Sequence, residues 1–227
     1  MGPKSSSKIR YLLVILQPFT KLKKIKHIIF DLGGVILNID YHLTVAAFKK
    51  IGISNSKFFY SKKNQNKIFN DIETGKISES MFLENIRNLT KKAKIQDVKK
   101  AWNSMLLDLP RERVNSIKKL QNRYSIFLLS NTNQIHITAL KNKIGKKRWH
   151  EFTSIFNKIY LSHETGFRKP DQKSFQYILE EQKLNPKDVL FIDDSFQHTE
   201  AAKQLGIKCH YLKKGEDIIT LFPGIIQ

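Results

Sequence analysis

Three carboxylates, one lysine and one hydroxyl carry the chemistry available to this chain. Asp31 closes an apolar run at 28–30 and is followed by Gly33 and Gly34, which suit a tight loop. Asp193 and Asp194 together close a second apolar run at 189–192. Adjacent acids at the end of a buried strand repel, and each raises the other's pKa unless a cation binds between them. Mg²⁺ is the hard cation that such oxygen ligands hold while it keeps several waters. Ser130, with Asn131 after it, ends a third apolar run. A hydroxyl and successive backbone N–H groups leading into a helix make a seat for phosphate oxygens. Lys169 stands before Pro170, which biases the preceding residue towards extended backbone. A fixed ammonium there can neutralise a carboxylate and a transferring phosphoryl group. Taken singly, these are ordinary features: an Asp before glycines is a turn signal, and Ser-Asn starts many helices.

The elements that must position these groups are strands alternating with helices. Strand-like runs lie at 28–30, 126–129, 155–160, 189–192 and 208–212, and helix-like stretches at 111–122, 133–143, 172–182 and 197–205. Pro110 suits the first turn of the helix that follows it. This alternation predicts an α/β fold with a doubly wound, Rossmann-like parallel sheet, whose carboxyl edge is where ligands bind. From 42 to 109 the alternation stops. Phe48, Ile68 with Phe69, Met81 to Leu83 with Ile86, and Val98 with Trp102 and Met105 have helical spacing. We therefore expect a core of 26–41 and 110–227, a helical cap inserted at 42–109, and a basic amino-terminal extension over 1–25.

Length and composition fit this division. The chain has 227 residues, 41% of them hydrophobic, enough for one large domain or a core with an insert. Its single cysteine, Cys209, allows no intrachain disulfide and no thiolate metal cluster, in keeping with a reducing compartment. The formal charge is +20, from 40 Lys and Arg against 20 Asp and Glu. The lysines are spread over nearly every predicted helix and no base-reading motif accompanies them. Only the first 26 residues cluster basic side chains, so a solvated surface is expected rather than a specific nucleic-acid partner. The apolar stretch 11–16 is far short of the ~20 residues of a membrane span and is broken by Gln17-Pro18. It reads as an extension, and the protein as cytoplasmic, a monomer or homodimer.

The order strand-Asp31, strand-Ser130, Lys169-Pro170, strand-Asp193-Asp194 resembles the haloacid dehalogenase (HAD) superfamily of aspartate-nucleophile hydrolases, from about residue 26 onward. Asp31 matches the nucleophile, Ser130 the second motif, Lys169 the third, and Asp194 the metal-binding aspartate, with Asp193 supporting it. The segments 30–35, 129–133, 159–162 and 168–170 look most like the bacterial α-D-glucose-1-phosphate phosphatase group. The resemblance implies a Mg²⁺-dependent phosphatase of small phosphorylated metabolites, sugar 1-phosphates among them, working through an aspartyl-phosphate on Asp31. Mg²⁺ would be held by Asp31, the Gly33 backbone carbonyl and Asp194, while Ser130 and the Asn131 N–H take phosphate oxygens and Lys169 steadies Asp31. The departure is Gly33, where most of these phosphatases carry a second aspartate as acid and base. Asp40 and His163 are candidate substitutes, and any special backbone angle at Gly33 would bar a side chain there. His198 likewise stands where many relatives have Asp or Asn. Glu73, Thr74, Lys76, Phe82 and Trp102 of the cap could line the site or simply pack and solvate it. Two other readings are a 2-haloacid dehalogenase, which shares the nucleophile without the second acid, and a non-catalytic fold binding RNA or anionic lipid through the basic arm.

Overall fold

Five short strands pair in parallel in the order β3-β2-β1-β4-β5: β1 His27–Phe30, β2 Ser125–Ser130, β3 Lys158–Leu161, β4 Val189–Asp193 and β5 Lys208–Tyr211. The computed structural model describes residues 24–53, 67–90 and 92–222, and the basic residues 1–23 lie outside that range. Winding runs outward from β1 through β2 to β3, then returns across β1 to β4 and β5. The chain thus reverses direction between β1 and β4, the kind of switch point where open α/β sheets bind ligands. Asp31 and Asp193 flank it. The register pairs Phe30 with Leu128 and with Ile192, and the Asp31 N–H donates to Ile192 O at 2.9 Å, so Asp31 stands level with Asp193.

Strand side chains alternate between faces, and both faces here are apolar. Ile28, Phe30, Ile126, Leu128 and Ile192 share one core cluster, while Ile29, Phe127, Leu129, Val189 and Phe191 share another. In chain order the helices of the described residues are α1 Tyr41–Lys50, α2 Lys67–Glu73, α3 Glu79–Asn88, α4 Ile95–Asn103, α5 Arg111–Leu120, α6 Gln134–Ile144, α7 Lys146–Thr153, α8 Ser162–Thr165, α9 Lys173–Glu181 and α10 Phe196–Lys203. Ile117 and Leu120 of α5, Leu140 of α6 and Phe152 of α7 cover the first face. Phe175 and Ile178 of α9 with Ala202 of α10 cover the second.

Between β1 and α5 the described residues contain helices and no named strand. Helices α1 to α4 bury their own apolar cluster around Trp102, whose ring lies 5.1 Å from Phe82, 5.2 Å from Phe69 and 6.2 Å from Phe48. Ile135 of α6 joins that cluster, so the helical layer packs directly on the sheet's carboxyl side. No helix among the described residues is long and apolar enough to cross a membrane.

Two local expectations are corrected. The run at 155–160 is not all strand: Ile155 and Phe156 are buried in the turn after α7, and β3 begins at Lys158. Apolarity there reports burial in the core, not strand geometry. Pro110 is the N-cap of α5 rather than part of its first turn, with extended backbone at φ −60° and ψ 131°.

Replacing Trp102 with Ala removes the hub of the helical layer. We expect a loss of about 3–5 kcal/mol, the usual cost of truncating a buried aromatic, read by urea unfolding.

Candidate active site

Lys169 is the point at which the loops meet. Its ammonium is fully buried and has three acceptors: Asp31 Oδ1 at 2.6 Å, Asp193 Oδ2 at 2.7 Å and the Leu129 carbonyl at 2.8 Å. Three donors thus meet three acceptors. Burial alone would lower the lysine's pKa, but Asp193 and Asp31 outweigh it and keep the group charged. Burial pushes the Asp31 carboxyl up to about 7 against the pull of Lys169, and Asp193 and Asp194 add to the rise. Asp193 differs: burial would raise it too, yet Lys169 and His198 hold it well below the carboxylate range. Its Oδ1 also accepts from the Ser195 N–H at 2.7 Å, and His198 Nδ1 lies 3.0 Å from both oxygens.

The loops around this lysine hold one another. The Asn131 amide accepts from the Lys169 N–H at 2.9 Å and donates to the Lys169 carbonyl at 2.8 Å, gripping both sides of that residue's backbone. Ser162 repeats the device on Thr132: its Oγ accepts from the Thr132 N–H at 2.9 Å and donates to the Thr132 carbonyl at 3.0 Å. Asn133 then caps α6 through the His136 N–H at 3.1 Å. The strand order puts the ends of β2 and β3 side by side, which is why residues distant in sequence can do this.

Asp194 points elsewhere. It lines a cavity of about 80 Å³ with Asp31, Gly33, Ser130, Asn131 and Thr132, room for several waters at roughly 10–15 Å³ each. The carboxylates of Asp31, Asp193 and Asp194 each offer an oxygen within 4.8 Å of the others. Because Asp193 is committed to Lys169, Ser195 and His198, Asp31 and Asp194 are the pair suited to a hard cation, and the upward push on Asp31 is the strain such a charge relieves. Gly34, at φ +83°, makes the arrangement possible: a Cβ there would collide with the Asp194 carboxylate.

Gly33 is not in the left-handed region, contrary to the concern about its backbone angle; a Cβ there would sit 2.9 Å from Ile39 Cδ1. That atom is the free end of a flexible side chain, so a small shift of Ile39 would admit a Cβ there. Neither proposed substitute lines the cavity: Asp40 caps α1 by accepting from the His42 N–H at 2.9 Å, and His163 lies beneath the turn at Gly75. Of the five cap residues, Phe82 and Trp102 are core, Lys76 is exposed, Thr74 bonds the Asn70 carbonyl at 2.8 Å, and Glu73 lines the cavity. Sequence reading assigned no role to Ser162, Tyr41, His136 or Arg168, although Ser162 and Arg168 lie in the segments 159–162 and 168–170 that carry the resemblance.

His136 stacks on Trp102 at 4.5 Å, its Nε2 lies 3.3 Å from the Trp102 carbonyl, and its Nδ1 lies 3.2 Å from Asn133 Nδ2. These contacts suit a neutral ring that donates from Nε2 and accepts at Nδ1. Burial pushes its pKa down to about 4.

An acid pinned beside a buried lysine at a sheet switch point, with a second acid and a hydroxyl loop across a small cavity, is the arrangement at the carboxyl edge of this α/β sheet. The comparisons with known proteins agree, and the chain belongs to the haloacid dehalogenase-like hydrolase family, whose profile matches residues 25–206. The D-ribitol-5-phosphate phosphatase of Bacteroides thetaiotaomicron is 29% identical over 194 residues, covering 85% of this chain and 94% of that one. A crystal structure of a HAD family enzyme from the same bacterium, an aspartate-to-alanine variant in complex with magnesium and inorganic phosphate, gives a TM-score of 0.81 at 35% identity, over 87% of this chain and 98% of that one. The L-2-haloacid dehalogenase of Xanthobacter autotrophicus shares the fold alone, with a TM-score of 0.54 at 15% identity, over 82% of this chain and 76% of that one.

Two measurements check this geometry. Gly34→Ala, strained at positive φ and set against Asp194, should lose about 1–2 kcal/mol and weaken Mg²⁺ activation at least tenfold, by thermal melting and metal titration. His136 binds its proton more readily unfolded than folded, so its share of stability is complete above its unfolded pKa of 6.5 and drains away as pH falls towards 4. Urea midpoints should drop between pH 7 and pH 4.5, and less steeply in His136→Gln.

Proposed function

We propose that this hydrolase removes phosphate from monoesters of small phosphorylated metabolites, sugar and sugar-alcohol phosphates above all, through an aspartyl-phosphate on Asp31. The observation that carries this reading is the Asp31 carboxylate fixed by Lys169 at the wall of a cavity shared with Asp194 and Ser130. The phosphatase activity named for the B. thetaiotaomicron relative supports it. The sugar 1-phosphate implied by the glucose-1-phosphate phosphatase resemblance is one member of the class.

Asp31, Asp194 and the Gly33 carbonyl would hold Mg²⁺, which, when bound, offsets negative charge on the phosphoryl oxygens and lets two acids face an anionic substrate. The chain's own groups do the rest. Lys169 keeps Asp31 ionised and aimed, while Ser130 Oγ and the Asn131 N–H receive phosphate oxygens. An Asp31 oxygen forms a bond to phosphorus as the ester P–O bond breaks in line behind it. The departing oxygen takes its proton from water, because no acid stands at Gly33. A second water then attacks phosphorus, releasing inorganic phosphate and regenerating Asp31. The absent acid forgoes about 10² to 10⁴ in rate, a loss smallest for esters with good leaving oxygens, of which an anomeric oxygen is one.

The residues divide by role in this reading. The core, 26–41 and 110–227, carries the chemistry, and 42–109 forms a cap over it. The enzyme works in the cytoplasm as a monomer or homodimer, with no specific nucleic-acid partner.

Asp31→Asn should abolish turnover of p-nitrophenyl phosphate, by on the order of 10³-fold or more, while its circular dichroism spectrum shows the fold intact. EDTA should silence the wild type and Mg²⁺ restore it. Activity that survives chelation and turns over 2-chloropropionate would favour dehalogenation instead.

A further inference from the structure

The positive charge of this chain gathers on one side of the sheet. From 111 to 153, where α5, α6 and α7 cover the first face, ten Lys and Arg stand against two acids. From 173 to 203, where α9 and α10 cover the second, four stand against six. Part of the first set is tied down. Arg113 pairs with Asp217 at 2.9 Å, Lys143 donates to the Leu106 carbonyl at 2.7 Å, and Arg148 donates to the Leu109 carbonyl. Arg111, Lys118, Lys141, Lys146 and Lys147 are exposed and make no ion pair among the described residues.

Helices α5 and α7 run side by side. Arg148, early in α7, reaches the chain just before α5, and Gln121, just after α5, donates to the Ile155 carbonyl beyond α7 at 3.0 Å. Arg111, Asn115 and Lys118 recur at helical spacing along the exposed side of α5. A depression of about 460 Å³ opens there, lined by Asn115, Lys118, Lys119, Gln121 and Asn122. Two ammonium groups and three amides, with no carboxylate among them, suit a phosphate that carries hydroxyls. Lys146 and Lys147 stand in the first turn of α7, which has no acidic residue, so they meet the positive end of the helix dipole. The helix gains no stability from cations at that end, whereas a negatively charged surface laid against them offsets the repulsion.

We propose that the α5–α7 face docks on an anionic phospholipid bilayer, with the depression on α5 seating a glycerophosphate headgroup. Clustered Lys and Arg are drawn to such a surface without entering its hydrocarbon. The large apolar side chains that stand exposed among the described residues, Phe196 and Tyr211 among them, all lie outside α5, α6 and α7. This face therefore offers no ring on which a nucleic-acid base can stack. No residue of α5 or α7 lines the catalytic cavity, so docking leaves its walls untouched.

The test is co-sedimentation of the full chain with vesicles of phosphatidylglycerol and phosphatidylcholine, set against vesicles of phosphatidylcholine alone. The wild type should bind only the anionic vesicles, and less as NaCl rises. Lys118→Glu, Lys146→Glu and Lys147→Glu together should weaken that binding by about tenfold or more. Lys173→Glu, Lys183→Glu and Lys187→Glu together remove the same charge from the opposite face and should weaken it by no more than about twofold. Circular dichroism checks that both fold; should either fail, the corresponding Gln variants carry the same contrast. No binding by the wild type, equal binding to neutral vesicles, or an equal loss in the two variants overturns the proposal. So does retention of the wild type by polyuridylic acid without binding to vesicles, which assigns the face to nucleic acid.

Discussion

A lysine ammonium sealed from water and shared among two carboxylates and a carbonyl is the constraint on which the site depends. A buried charge survives only when paired and fully hydrogen-bonded. Lys169 therefore requires β1, β2 and β4 to end at the same level, because each supplies one acceptor. The same requirement forces Asp31 and Asp193 together, two like charges that would otherwise separate. What remains after the lysine is satisfied is one excess negative charge and a third acid, Asp194, facing the cavity. The electrostatics of a cation site follow from that imbalance.

The adjacent acids divide their labour by direction. Alternation along a strand end turns Asp193 inward to Lys169 and His198 and leaves Asp194 at the cavity. Gly34 clears the space that Asp194 needs, whereas a Cβ on the neighbouring Gly33 would meet only the movable end of Ile39.

Much of this was legible in the sequence because strand ends announce themselves. Apolar runs ending in Asp31, Ser130 and Asp193-Asp194, with Lys169 between, were enough to predict a doubly wound parallel sheet with these groups at its carboxyl edge, though not the order of its strands. The helical wall was only partly legible. Glu73 was one of five cap candidates and alone of them lines the cavity, whereas Tyr41 and Met105 look like any residues of amphipathic helices, since periodicity tells which face is buried and not what it is buried against. Asp40 and His163 show the converse: polar types near the reactive motifs whose side chains the fold turns to capping or packing. At 155–160 an apolar run was divided between a turn and a strand, because the core takes apolar residues from either.

The two backbone grips, Asn131 on residue 169 and Ser162 on residue 132, make the loops a closed ring of dependencies. Energies in such a ring are not separable. Once Asn131 is gone, Lys169 has lost its fixed address, and deleting the lysine's own amine afterwards removes less than it would from the intact ring. Damage at this edge therefore saturates: the first lesion does most of the harm, and single substitutions overstate what each residue contributes alone.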